Sequence, residues 1–179
     1  MDSGKNFQFD TEQKPLNSPA IENDELMAQV DDFFDKQQFY GFRIGEIGLL
    51  ISGGIESEIL DNFTIHPVPN TVSWLRGVIN LRGHLVPVYN LHELFGFSQN
   101  IQKHSFLIIL DKGENSVAIE ISDYPKVLEN LVQVDRQLSL PEVFEDYVLE
   151  IYEDEGVSWL SFNKQQFFSA LSEKIVATK

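Results

Sequence analysis

The spacing of apolar residues changes character at Phe39. Upstream of it, Leu26, Met27, Val30, Phe33 and Phe34 fall on one side of a 3.6-residue period, with Asp31, Asp32 and Asp35 off it. This predicts an amphipathic helix over 23–37, capped by Asn23 or Asp24. Its apolar face either packs onto the rest of the chain or docks another protein. Residues 1–22 are polar, carry Pro15 and Pro19 and show no period, which predicts a disordered tail.

From Phe39 onward the apolar runs are short and separated by turn signals. Strands are predicted over 39–44, 49–51, 55–60, 74–80 and 84–89, and again over 105–110, 116–121, 147–152 and 157–162. Gly45-Glu46-Ile47-Gly48 reads as the first turn, Asp111 to Asn115 and Glu153 to Gly156 as later hairpin loops. In the third strand, Glu56 and Glu58 face away from Ile55, Ser57 and Ile59. Asn90 can cap a brief helix over 91–95 that stops at Gly96. A closing helix starts near Asn163, where Gln166 stands at capping-box spacing, and turns Phe167, Phe168, Leu171 and Ile175 inward. Many short strands with helices at the margins predict a mainly β fold of small barrels. No exact internal repeat is visible.

Composition narrows the functions open to such a fold. The chain has 179 residues, 42% of them hydrophobic and 14 of them Phe, enough for a bulky core. Its formal net charge of −15 opposes nucleic acid and anionic membranes as partners. Cysteine is absent, which rules out disulfides, thiol catalysis and cysteine-ligated metals. No apolar run reaches the length of a membrane span, and the N-terminus does not read as a signal peptide. These features predict a cytoplasmic protein that does not insert into the membrane.

Candidate chemistry is sparse. His84 and His92 do not share a face by spacing, and His66 and His104 have no carboxylate partner in sequence. Ser52-Gly53-Gly54 lacks the Lys and Ser/Thr that complete a phosphate loop. The expectation is no catalysis, no metal and no cofactor. The acidic series from Glu142 to Glu155 reads as a solvated face or as a contact for a basic partner. Arg82-Gly83 is more pointed. Gly83 suits a tight turn between two apolar runs, and Arg82 has no core role there. A guanidinium held at a strand end is a rigid, permanently charged donor for a partner's carboxylates or carbonyls.

The same stretch resembles a known family. Phe42-Arg43-Ile44-Gly45, Glu56-Ser57-Glu58-Ile59, Val68-Pro69, Gly77 to Pro87-Val88 and Asn90-Leu91 are similar to the pattern of bacterial chemotaxis coupling proteins, the CheW-like domains. Asn80-Leu81-Arg82-Gly83 with Pro87 downstream is the most specific part, and looser similarity runs through 157–171. Departures are Asn90 in place of Asp, Asp123-Tyr124-Pro125, and no glycine near Glu150-Ile151-Tyr152.

The resemblance implies a CheW-like domain over 38–179, made of two intertwined, five-stranded SH3-like barrel lobes. It further implies a non-enzymatic adaptor, recruited to receptor arrays. Such an adaptor links the cytoplasmic tips of methyl-accepting chemoreceptors to the regulatory domain of a CheA-like histidine kinase. Glu58, Ile59, Arg82 and Gly83 become the expected partner-binding residues, with Ile59 or its neighbours as an apolar wall and Glu58 and Arg82 at its rim. The acidic N-terminal extension with its helix, and Phe42 to Ile51 followed by Trp74-Leu75, look more like the pilus-associated (PilI-like) branch, which controls twitching motility. A flagellar coupling protein and a small-ligand-binding β-barrel are the alternatives.

Overall fold

The computed structural model describes residues 39–52, 55–97 and 105–177. The predicted tail over 1–22, the predicted helix over 23–37 and His104 lie outside the described residues.

The chain opens with a hairpin, β1 (Phe39–Ile44) and β2 (Ile47–Ser52). It continues through β3 (Ser57–Leu60), β4 (Leu75–Leu81), β5 (His84–Tyr89) and the one-turn helix α1 (Leu91–Leu94). A second hairpin pairs β6 (Phe106–Leu110) with β7 (Val117–Ile121) across a 3-10 turn at Gly113–Asn115. Two short strands follow, β8 (Lys126–Leu128) and β9 (Val132–Gln133), and then the helix α2 (Glu142–Glu145). A last hairpin, β10 (Val148–Asp154) and β11 (Val157–Phe162), leads into α3 (Lys164–Ala177).

Both capped helices start where their side chains require. Asn90 Oδ1 accepts from Glu93 N at 3.1 Å, and Asn163 Oδ1 from Gln166 N at 3.1 Å. The third strand begins two residues later than expected, at Ser57, and Ile55 N donates to Ser52 O at 2.9 Å ahead of it. Two loops are shorter than their sequences suggest. Glu153 and Asp154 stay in β10, leaving only Glu155-Gly156 as the turn. Gly48 likewise belongs to β2 rather than to the first turn. A Cβ there would stand 2.6 Å from both Ser158 O and the Trp159 ring, so the glycine lets β11 and its indole lie close against β2.

The strands form two intertwined SH3-like lobes. One sheet runs β8-β1-β2-β11-β10-β9 and the other β3-β6-β7-β5-β4. The chain starts the six-stranded sheet, builds the whole five-stranded sheet, then returns to finish the first. Each sheet has the same centre: β1-β2 and β10-β11 meet along the parallel pair β2/β11, while β6-β7 and β4-β5 meet along β7/β5. Topology therefore repeats where sequence does not.

Three buried clusters account for the apolar runs. Leu107, Ile109, Ala118, Val86 and Val88 fill the inside of the five-stranded lobe. Leu50, Leu128 and Trp159 fill the other lobe. The alternate residues of the same strands, among them Leu49, Ile51, Ile108, Leu110, Ile119 and Leu160, meet in one shared core. Strands buried on both faces lose the polar-apolar alternation and read as continuous runs such as Phe106–Leu110. Phe144, Phe167 and Phe168 seat α2 and α3 on this shared core, with ring centroids 5.1–5.2 Å apart between neighbours. Each such ring stabilises the fold by about 1.5–3 kcal/mol relative to leaving it in water. Among the described residues no helix is long and apolar enough to cross a membrane.

Candidate partner-binding site

Leu81 pairs directly with His84, so Arg82-Gly83 is a two-residue hairpin turn. Its φ values of 52° and 90° are those of a type I′ turn, whose twist matches the flanking strands. Asn80 Oδ1 accepts from Gly83 N at 2.9 Å and fixes the bend. Type I′ turns favour Asn-Gly; an arginine at the first position is held in the left-handed region at a cost of about 1–2 kcal/mol. Such local strain, in a turn that a cheaper residue could make, clusters at sites of function.

Glu58 reaches this turn from the far side of the sheet. It pairs with Ile109 across β3/β6, which places it on the inner face of the five-stranded lobe beside Leu60. β3 and β4 are opposite edges of that sheet, yet Arg82 Nη2 donates to Glu58 Oε2 at 2.6 Å. The ion pair thus bridges the seam where the curled sheet meets itself. It uses one donor of the fork, and the Arg82 side chain stays 69% exposed. Glu58 is more enclosed, and its Oε1 is buried with no hydrogen-bond partner among the described residues.

A groove of about 390 Å³ opens beside the seam. Arg82, Glu58, His84, Asp111, Lys112 and Glu56 line it. Several of these are tied down: Lys112 Nζ pairs with Glu56 Oε1, Asp111 N donates to Glu56 O at 2.9 Å, and Lys164 Nζ meets Asp111 Oδ1 at 2.5 Å. Half-buried Leu81 and buried Ile109 supply the apolar floor.

Of the expected residues, the structure brings Glu58, Arg82 and Gly83 together and sets Ile59 apart. Ile59 pairs with Ile108 and so faces the other side of the sheet, half-buried and outside all three core clusters. Glu58 and Ile59 face opposite ways, as the alternation along β3 predicts, and the apolar residues lining the groove beside Glu58 and Arg82 are Leu81 and Ile109 rather than Ile59. Glu56, Asp111 and Lys112 were missed as site residues. The charges of Asp111-Lys112 were visible in sequence, but nothing there tells that a loop after β6 lies against the flank of β3. Among the described residues no group of three or more His, Cys, Asp or Glu side chains could hold a metal ion.

The architecture is that of a two-lobed β domain with a charged groove at a sheet seam. The model of the CheW-like domain matches residues 38–166, and the chain belongs to that family. It is 28% identical over 121 residues to the chemotaxis protein CheW of Thermotoga maritima, covering 68% of this chain and 78% of that protein. Its fold is similar to the crystal structure of the scaffolding protein TtCheW from Thermoanaerobacter tengcongensis. The TM-score is 0.59 at 19% identity, over 74% of this chain and 92% of that one.

Proposed function

We propose that this chain is a non-enzymatic adaptor of chemosensory signalling, coupling chemoreceptors to a CheA-like histidine kinase from a cytoplasmic position at receptor arrays. Kinship with proteins named for chemotaxis and scaffolding supports the signalling role. The observation that carries the binding site is the Glu58–Arg82 pair, an ion pair across a barrel seam with most of its guanidinium still open to solvent. In this reading Arg82 offers its remaining donors to a partner's carboxylates or carbonyls, and Gly83 keeps the approach clear. The partners are the kinase's regulatory domain and the helical tip of a receptor. Ile59, on the opposite face of the same edge strand, serves a partner that wraps over that edge. For output we favour the pilus-associated branch, on the N-terminal extension and Trp74-Leu75; flagellar control fits the same groove. A receptor gene, a kinase gene and pilus genes beside this one would support that branch, and flagellar neighbours would oppose it.

The binding test is titration of the kinase regulatory domain and of a receptor-tip fragment with the wild type, Arg82→Asn and Glu58→Gln. A loss of about tenfold or more with Arg82→Asn, in a protein that melts normally, is expected for one partner at least. Unchanged affinity of folded Arg82→Asn for both partners would remove the groove from the interface.

A further inference from the structure

Away from the groove, a turn of the six-stranded sheet meets the helix that follows β5 of the five-stranded sheet at a polar contact. Gly45, in the β1–β2 turn of the six-stranded sheet, donates its backbone N–H to His92 Nε2 at 3.1 Å. His92 sits in α1, which follows β5 of the five-stranded sheet. The chain after α1 reinforces the contact. Phe97 N donates to His92 O at 2.8 Å, and the Phe97 ring lies where a Cβ on Gly45 would be, 2.8 Å from that position. The turn is therefore clasped between an imidazole and a phenyl ring of one short segment.

A ring nitrogen that accepts from a backbone N–H carries a lone pair and no proton. An imidazolium has no acceptor at all, so the Gly45 hydrogen bond and a charged His92 exclude each other. We propose that His92 is an acid-sensitive latch between the two sheets: its neutral imidazole holds the β1–β2 turn against α1, and protonation releases that turn.

The surroundings favour the neutral ring in the closed state. Burial lowers the His92 pKa from its ordinary value, and Glu120 on β7 pulls it the other way. Arg76 on β4 pairs with Glu120 at 3.3 Å and blunts that pull. On the turn itself, Arg43 Nη2 donates to Glu46 O at 3.4 Å, and Glu93 follows His92 in α1. The sign follows from the lowered pKa. The latch is complete above about pH 6.5, where the ring is neutral whether folded or unfolded, and it is lost as pH falls through the folded value.

The test uses the full chain, labelled with nitrogen-15 and titrated from about pH 8 to about pH 5. In the wild type the Gly45 amide shift should move with the same midpoint as the His92 ring protons, and its exchange protection should drop by about tenfold. Gly156, in the equivalent turn of the last hairpin, is the control and should stay still. His92→Gln keeps an acceptor without a titration and should flatten the Gly45 curve. His92→Phe should hold Gly45 in the released state at every pH. A Gly45 amide that ignores the His92 titration, or one that titrates equally in His92→Gln, would overturn the latch.

Discussion

Arg82 occupies a backbone conformation that glycine or asparagine adopts more cheaply, and its side chain recovers part of that cost through Glu58. The pair is largely solvent-exposed on the arginine side, so its own stabilisation is about 0.2–1 kcal/mol. Relief of left-handed strain in Arg82→Asn is of the same size and opposite sign. That variant should therefore melt within about 4 °C of the wild type. Arg82→Glu differs sharply, because it sets a second carboxylate beside Glu58, whose Oε1 already lacks a partner. It should melt clearly lower, so lost binding by it would not separate contact from folding. A thermal melt of both variants checks the order, and an Arg82→Asn protein as unstable as Arg82→Glu would make the turn structural. The turn was legible in the sequence, because Arg82-Gly83 sits between two apolar runs. Its partner was not, since Glu58 lies 24 residues away on a strand that only meets the turn when the sheet curls shut.

At the scale of elements, the strands that could be read were those with a turn signal at one end. The β4–β5 and β10–β11 hairpins and both flanks of β6–β7 fall close to expectation for that reason. β8 and β9 have only three and two residues, too few for any period, and they exist because β1 and β10 offer them an edge. The helix α2 was missed because its sequence, Glu142 to Glu145, reads as a charged surface, while Phe144 within it is fully buried. Gly48 of β2 was read as part of the first turn, since the reason for a glycine there lies on a distant strand. Cβ atoms on Gly41 and Gly48 would come 2.4 Å and 2.6 Å from the Trp159 ring. Gly48→Ala also drives a methyl into the backbone oxygen of Ser158, which cannot swing aside as a side chain could. It should destabilise the protein by about 1–3 kcal/mol and shift Trp159 fluorescence to the red, both readable in one urea titration. A silent Gly48→Ala would show that β11 does not press on β2 in this way.

The path of the chain makes a claim about the molecule as a whole. The five-stranded sheet is one continuous stretch of chain inserted between the two halves of the six-stranded sheet, so the six-stranded sheet cannot be cut out as a continuous segment. The largest core cluster belongs to both: Leu49 and Leu160 come from one sheet, Ile108 and Ile119 from the other, and Phe167 from α3. Unfolding one lobe would expose one side of that core and leave the other with no partner. A cooperative transition over both lobes is the physical consequence. The two tryptophans report on different parts of the molecule, Trp159 on the six-stranded lobe and Trp74 on the shared core. Trp159 is buried in the six-stranded lobe, and Trp74 stacks on Tyr89 of β5 with ring centroids 6.1 Å apart. Trp74→Phe and Trp159→Phe each leave one reporter. In each variant the fluorescence transition in urea should coincide with the loss of far-ultraviolet circular dichroism. A Trp159 transition that runs ahead of the circular dichroism would mean that the six-stranded lobe opens alone, and that the shared core does not bind the two sheets into one folding unit.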